Sequence, residues 1–493
     1  MELIQLNQSN LAPIAQRIDC PKYDRQQVKT GIVHVGVGGF HRSHQAYYIQ
    51  QLLEKYDAYD WGICGVGLRE VDRNIYEVFK KQDCLYTLVV KHLDGKVENE
   101  VIGALTDFLL GVDTPDLVID KMAHSDTKIV SLTITEGGYN FNPSTGEFNF
   151  ENPDILHELH HPNEPKTVFG FITAALRKRR GQELPPFTVL SCDNIQHNGD
   201  VARNMFLAFA KKQDPELADW MEKKVYFPNT MVDRITPLTT ISDIDHLKNT
   251  YGIIDEWPVI SEPFIQWVVE DKFCNGRPEL EKVGVKFVPD VTPYEKMKIR
   301  LLNAGHSVLG IPGAIDNKPT INACMRDTVF AMFMRQFMDK EATPVLDKVE
   351  GIDLEKYKDS IEQRFANPNI KDSVSRICSE SSAKLPKFLI PTLQENLAKG
   401  GSIEYATLVL ATWCYYSDKS VNKNHEPLEI IDIMKTELHQ AAKETQKDSL
   451  AFLRFKEIFD NLVDNERFTK LYSEMIQKIY EDGDVRGLMG TMI

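Results

Sequence analysis

Between about Gly31 and Asp290 the chain alternates between two kinds of pattern. Short β-rich apolar runs occur at Ile32–Gly36, Trp61–Val66, Leu85–Val90, Ile129–Ile134, Phe187–Ser191 and Val285–Val288. Longer stretches with helical spacing separate several of them, among them Ser43–Lys55, Thr114–Met122 and Gly199–Lys212. Strands that alternate with helices predict an α/β fold of Rossmann type, a mostly parallel sheet covered on both faces. After Thr292 strand-like runs almost vanish. Helical periods take over at Pro293–Leu309, Arg326–Lys340, Leu354–Phe365, Ile403–Tyr416, Leu428–Thr445 and Arg467–Glu481. The expected organisation is a dinucleotide-binding type domain over residues 1–285 and a mainly α-helical domain over 286–493.

The first apolar run ends in a glycine turn, Gly36-Val37-Gly38-Gly39-Phe40-His41-Arg42. A pyrophosphate must come close to the backbone where a helix exposes its first N–H groups, and a β-carbon there would block it. Gly36 and Gly38 fill the first two positions of G-x-G-x-x-G; the third falls on His41, a departure. A tight turn in any α/β protein could carry these glycines, and it is their place on the first strand that favours a cofactor. An acid just past the second strand receives the adenine-ribose hydroxyls and repels a 2′-phosphate. Asp72 is the candidate, with Arg69 nearby to soften that bias; a solvated surface pair is the alternative.

The most informative helix starts near Thr292, which suits an N-cap, with Pro293 in the first turn and Glu295 placed for a capping box. At about 100° per residue, Met297, Leu301, Ala304 and Val308 fall on one side. Glu295, Lys298, Asn303 and His306 fall on the other, within an arc of roughly 140°. This could be the wet side of an amphipathic helix, but Ile299, Leu302 and Leu309 are interleaved with the polar groups, which suits a partly dry cleft. A lysine there loses hydration, its pKa falls, and it can take the proton of an alcohol as a hydride leaves the carbon. Asparagine amides can stabilise the alkoxide without neutralising that base. Tyr294 and Lys298 also match the Y-x-x-x-K pair of short-chain dehydrogenases, but they open a helix beyond the sheet region.

Size, charge and cysteines narrow the setting. The 493 residues carry 42% hydrophobic and 26% charged side chains and a formal charge of -15. A dispersed negative charge repels phosphate backbones, so nucleic acid is not an expected partner. No apolar run approaches the roughly 20 residues that span a bilayer, no signal peptide is visible after Met1, and no membrane partner is expected. The cysteines at 20, 64, 84, 192, 274, 324, 378 and 414 form no C-x-x-C pair. Free thiols in a cytoplasmic protein are the expectation. The sequence does not fix the oligomeric state; a monomer is compatible with it.

Five segments taken together resemble the polyol-specific long-chain dehydrogenases over nearly the whole chain: 36–48, 131–139, 191–194, 231–237 and Lys298-x4-Asn303-x2-His306. The resemblance implies an NAD-dependent, metal-independent oxidoreductase that interconverts a polyol and its ketose, mannitol and fructose foremost. It implies Lys298 as general base and acid, Asn194 and Asn303 as the oxyanion pair, His306 orienting substrate and Glu295 relaying the proton. Asp233, Arg376 and Lys384 match positions that contact polyol hydroxyls. Glu136 lies at a strand end where nicotinamide would sit, its role left open. The family often carries two acids after the second strand; here Val71 precedes the single Asp72, so NAD is favoured over NADP with less discrimination. The same family includes hexuronate reductases for fructuronate and mannonate, and D-arabinitol is a further candidate substrate. A non-catalytic NAD-binding sensor would have to have lost the base, yet Lys298, Asn194, Asn303 and His306 are all retained.

Overall fold

A computed structural model describes residues 2–142 and 146–493. The chain divides into two compact units, one ending at Val291 and the other beginning at Thr292.

The first unit is built on five strands: β1 (Thr30–Val35), β2 (Gly62–Gly67), β3 (Leu105–Leu110), β4 (Ile129–Leu132) and β5 (Thr188–Ser191). They lie in the order β3-β2-β1-β4-β5, every neighbour parallel. A parallel sheet is buried on both faces, so successive residues feed two different cores. Val33, Val35, Cys64, Val66, Val130, Leu132 and Val189 pack under the helices Pro115–Ala123, Val168–Gly181 and Asn198–Gln213. Ile32, Ile63, Ile129 and Leu190 point the other way, onto the helix Gln45–Tyr56. The strand order reverses between β1 and β4. That reversal opens a crevice at their carboxyl ends, the place where open α/β sheets bind ligands.

Two of the expected strands belong elsewhere. The run at Leu85–Val90 forms Tyr86–Lys91, which pairs antiparallel with Val97–Ile102 and parallel with Val259–Ser261 in a separate sheet. The run at Val285–Val288 forms Lys286–Val288 beside Gln266–Glu270, which in turn runs antiparallel to Thr230–Asp233. The strand β3 was not anticipated. Asp107 interrupts its apolar pattern, and the edge position tolerates that acid, which pairs with Lys121 at 3.1 Å.

In the second unit residues 292–315 are helical throughout, as Thr292–Lys298, a π-helical stretch Ile299–Asn303 and Ala304–Ile315. The last part packs against Val374–Cys378 and Glu404–Lys419. The helix expected at Leu428–Thr445 is shorter, Lys435–Glu444. Residues 428–434 instead bond to neighbouring loops: Leu428 N–H donates to Ser420 at 2.8 Å, and the carbonyl of Ile431 accepts from Glu380 N–H at 2.8 Å.

Candidate active site

The two glycines of the turn after β1 do different jobs. Gly36 has φ +94°, and a β-carbon there would stand 2.1 Å from the carbonyl oxygen of Thr133. Only glycine can turn the chain at that point. Gly38 has an ordinary φ of -84° at the N-cap of the helix Gly39–Ser43. A β-carbon on it would meet nothing nearer than Gly36 O at 4.0 Å. The fold itself therefore does not demand a glycine here, and the open backbone leaves room for a dinucleotide brought against it. By helix geometry the N–H groups of Gly39, Phe40 and His41 have no intrahelical carbonyl and can face an anion. Val37 is buried against Gly65 of β2.

The side chains of His41 and Arg42 turn inward. The His41 ring stacks on His34 with centroids 3.4 Å apart and planes 10° apart. A flat ring laid under the strand thus fills the position where the fingerprint has its third glycine. Arg42 Nη1 donates to the carbonyl of Trp257 at 2.5 Å, with the guanidinium over Tyr86. What His41 can offer a cofactor is its backbone. His34 ties the crevice together: Nδ1 is 2.8 Å from Ser131 Oγ and Nε2 is 2.9 Å from Thr133 Oγ1, which itself donates to Gly36 O at 2.6 Å. Burial pushes the His34 imidazole down to about 3 and holds His41 well below the usual histidine range. Both are neutral.

Asp72 folds back against the end of β2. A β-carbon on Gly67 would come within 2.7 Å of Asp72 Cβ. The Asp72 carboxylate accepts from Arg69 N–H at 2.9 Å and lies 3.6 Å from Arg69 Nη2, so the surface pair also forms. At the far side of the crevice Asp193 is buried and accepts from the N–H groups of Ile134 (3.1 Å) and Thr135 (2.8 Å) and from Tyr139 Oη (2.7 Å). This acid clamps the ends of β4 and β5, and Asn194 follows it directly at an exposed position. Glu136 is also exposed, just past β4. Asp233 ends the strand Thr230–Asp233 and is buried.

In the second unit the long helix is dry on both sides. Met297, Leu301, Ala304 and Val308 are fully buried, but so are Glu295, Lys298 and Asn303, at 4%, 6% and 7% exposure. The wet-face alternative therefore fails. The π stretch also changes the geometry. In an α-helix Lys298 and Asn303, five residues apart, would stand about 140° apart. In a π turn residues five apart are the hydrogen-bonded neighbours, so such a pair stacks on one face; Ala304 N–H donates to Ile299 O in this manner. Tyr294 Oη donates to the carbonyl of Glu350 at 2.8 Å, which speaks against the Y-x-x-x-K alternative.

His306 stacks on Phe365 at 4.0 Å, with Nε2 3.7 Å from Asp372 Oδ2. Burial first, then the charges of Arg376, Arg364, Lys384 and Lys298, hold this imidazole well below its usual range, so it is neutral. Arg376 donates through Nε and Nη2 to the two Asp372 oxygens at 2.8 and 2.7 Å. Lys384 Nζ donates to the carbonyl of Ile377 at 3.1 Å. Burial, then Arg376, pushes this lysine down.

Residues 30–282 match the mannitol dehydrogenase Rossmann domain and residues 290–480 the mannitol dehydrogenase C-terminal domain. The chain belongs to the mannitol dehydrogenase family. Among its relatives, mannitol 2-dehydrogenase of Neosartorya fischeri is 43% identical, covering 99% of each chain, and that of Pyricularia oryzae is 43% identical, covering 99% of this chain and 98% of the other. Two solved structures are similar over the whole length. Pseudomonas fluorescens mannitol 2-dehydrogenase in ternary complex with NAD and D-mannitol has a TM-score of 0.89 at 44% identity, covering 99% of both chains. A substrate-free D-sorbitol dehydrogenase has a TM-score of 0.89 at 37% identity, covering 98% of this chain and 99% of that one.

In this mannitol dehydrogenase family member the first unit carries Gly36 to Arg42, Asp72, Asn194 and Asp233. The second unit carries Glu295, Lys298, Asn303, His306, Arg376 and Lys384 and brings the charges of Lys298, Arg376 and Lys384 to bear on one imidazole. Sequence reasoning missed Arg364, Phe365 and Asp372. Only Asp372 had a signal, an acid four residues before Arg376, just ahead of the short helix Val374–Cys378. Among the described residues no three His, Cys, Asp or Glu side chains gather as a metal could require, and no helix is long and apolar enough to cross a membrane.

Proposed function

We propose that this protein interconverts D-mannitol and D-fructose with NAD(H). In the oxidative direction the polyol loses a hydride from carbon and a proton from oxygen, leaving the ketose. When bound, NAD supplies the hydride acceptor. The Lys298 amine, held in a dry environment, takes the hydroxyl proton, and in reduction its ammonium returns it. Asn194 and Asn303 donate to the developing alkoxide, and as neutral amides they leave the amine basic. Glu295 passes the proton between Lys298 and water. Neutral His306 orients a substrate hydroxyl, and Asp233, Arg376 and Lys384 hold the others. Gly36 through Arg42 seat the pyrophosphate with backbone N–H groups, and Asp72 takes the adenine ribose, which favours NAD over NADP.

The observation that carries this reading is full-length similarity to an enzyme described with NAD and D-mannitol bound, together with an intact Lys298, Asn303 and His306 on one buried helix. Eight cysteines without a disulfide suit the cytoplasm, and a small polyol is the partner. A second reading, reduction of a hexuronate such as fructuronate, draws on the four cations that surround His306. A panel at 340 nm separates the two. Fructose with NADH is expected to oxidise the cofactor, with NADPH slower. Turnover of fructuronate alone would favour the second reading, and turnover of neither would exclude both.

A further inference from the structure

Asp372 is an acid bonded to Arg376 and set 3.7 Å from His306, the imidazole on which Arg376, Arg364, Lys384 and Lys298 all act. Its carboxylate is nearly sealed, 6% exposed, whereas the Arg376 side chain it holds is 55% exposed. The clasp is built into the backbone. The carbonyl of Asp372 accepts from Ile321 N–H at 2.9 Å, and Ser373 Oγ caps the helix Val374–Cys378 by accepting from Arg376 N–H at 3.1 Å. Acid and guanidinium therefore meet in one fixed geometry, with Nε and Nη2 both committed.

A guanidinium recognises a substrate carboxylate best through a two-pronged edge of parallel N–H groups. On Arg376 the Nε–Nη2 edge is already filled by this chain's own carboxylate, and much of the charge is cancelled. What remains is the end formed by Nη1 and the second Nη2 hydrogen, which can donate to hydroxyls and whose positive charge the Asp372 carboxylate offsets. Without Asp372 the cations Lys298, Arg364, Arg376 and Lys384 around His306 would form an anion trap.

We propose that Asp372 is a positioning residue that sets the charge class of the substrate: by occupying the Nε–Nη2 edge of Arg376 and offsetting its charge, it reserves the pocket for uncharged polyols and ketoses and turns away sugars that carry a carboxylate. The proposal rests on the polyol–ketose reading above. Chemistry at the reacting carbon is the same for both classes. The ketone carbon gains a hydride from NADH and its oxygen gains a proton, giving the alcohol and NAD, while the carboxylate is a spectator.

The test compares kcat/KM for D-fructose and D-fructuronate at saturating NADH in wild type, Asp372→Asn and Asp372→Ala. Wild type is expected to prefer fructose. Both variants should shift the ratio toward fructuronate by about 10- to 100-fold, mostly through KM for fructuronate, since charge-assisted hydrogen bonds carry effects of that size. The double variant D372N/R376A should lose the gain. Variants that fold, bind NADH and reduce fructose with a ratio within twofold of wild type would overturn the proposal, as would a gain that survives the double change. Arg376→Ala alone gives an independent reading if the Asp372 variants do not fold. It leaves the acid uncovered and should move selectivity further from fructuronate; an unchanged ratio overturns the proposal. Wild type that reduces neither sugar sinks the functional reading itself, a result distinct from a flat selectivity ratio in active variants.

Discussion

Gly36→Ala and Gly38→Ala should have opposite effects, though both remove a glycine from the same turn. At Gly36 the new methyl would sit 2.1 Å from Thr133 O, where ordinary contact starts near 3.4 Å, and the residue would hold φ +94°. Overpacking of that kind costs about 1–3 kcal/mol, and a left-handed backbone at a residue with a β-carbon adds about 1–2 kcal/mol. Gly36→Ala is therefore expected to lose about 2–5 kcal/mol of stability, a large part of a typical fold's margin. At Gly38 the backbone already suits alanine and the space is open. Reduced freedom of the unfolded chain should stabilise that variant by about 0.4–1 kcal/mol, while its methyl obstructs the approach of the pyrophosphate. An NADH affinity about 10- to 100-fold weaker, roughly 1.4–2.7 kcal/mol, is expected. Urea unfolding and NADH fluorescence titration measure the two effects separately. A Gly38→Ala protein that binds NADH as tightly as wild type would refute the assignment of this turn to the cofactor. A Gly36→Ala protein as stable as wild type would refute the steric argument.

Lys298→Ala should lower turnover by on the order of 100- to 10,000-fold while NADH still titrates; retained turnover would remove Lys298 as the base. Exhaustive dialysis against EDTA should leave activity intact, and a loss restored by added metal would show that the lysine mechanism is wrong. The neutral His34 imidazole adds an acid-sensitive element: its folded value of about 3 lies below the ordinary 6.5, so its contribution is complete above pH 6.5 and is lost as pH falls toward 3. By pH 5 the loss is about 2 kcal/mol (1.5 pH units at 1.36 kcal/mol each); the urea midpoint of His34→Gln should fall less between pH 7 and 5 than that of wild type, and parallel slopes would contradict the assignment.

How much of the fold the sequence shows depends on how locally each element is specified. The strands β1, β2, β4 and β5 are continuous apolar runs because both faces are covered, and those runs are visible without any partner. An edge strand such as β3 can admit Asp107, and a three-residue strand such as Val259–Ser261 is too short to establish a period. The overlong helix at Leu428–Thr445 has the same cause in reverse. The isoleucines at 430, 431 and 433 imitate a helical stripe, yet Ile431 and Ile433 are 49% and 84% exposed and the segment is held by loop hydrogen bonds.

The site divides along the same line. The glycine turn and the polar residues of the 292–315 helix are read locally, because each group's neighbours in space are also its neighbours in sequence. Arg364 and Phe365 reach His306 from a different helix, Leu354–Phe365, and no periodicity could pair them with it. The π stretch is hidden for another reason. Which carbonyl an N–H selects, four residues back or five, is decided by packing on every side of a buried helix and leaves no pattern of residue types. A regular helical wheel spreads Glu295, Lys298, Asn303 and His306 over an arc of roughly 140°, too wide for one small substrate to touch from one direction. Five residues in π geometry wind the later positions back toward Lys298 and narrow that spread. A substitution that restored α-helical winding there would pull Asn303 away from the lysine without altering either side chain.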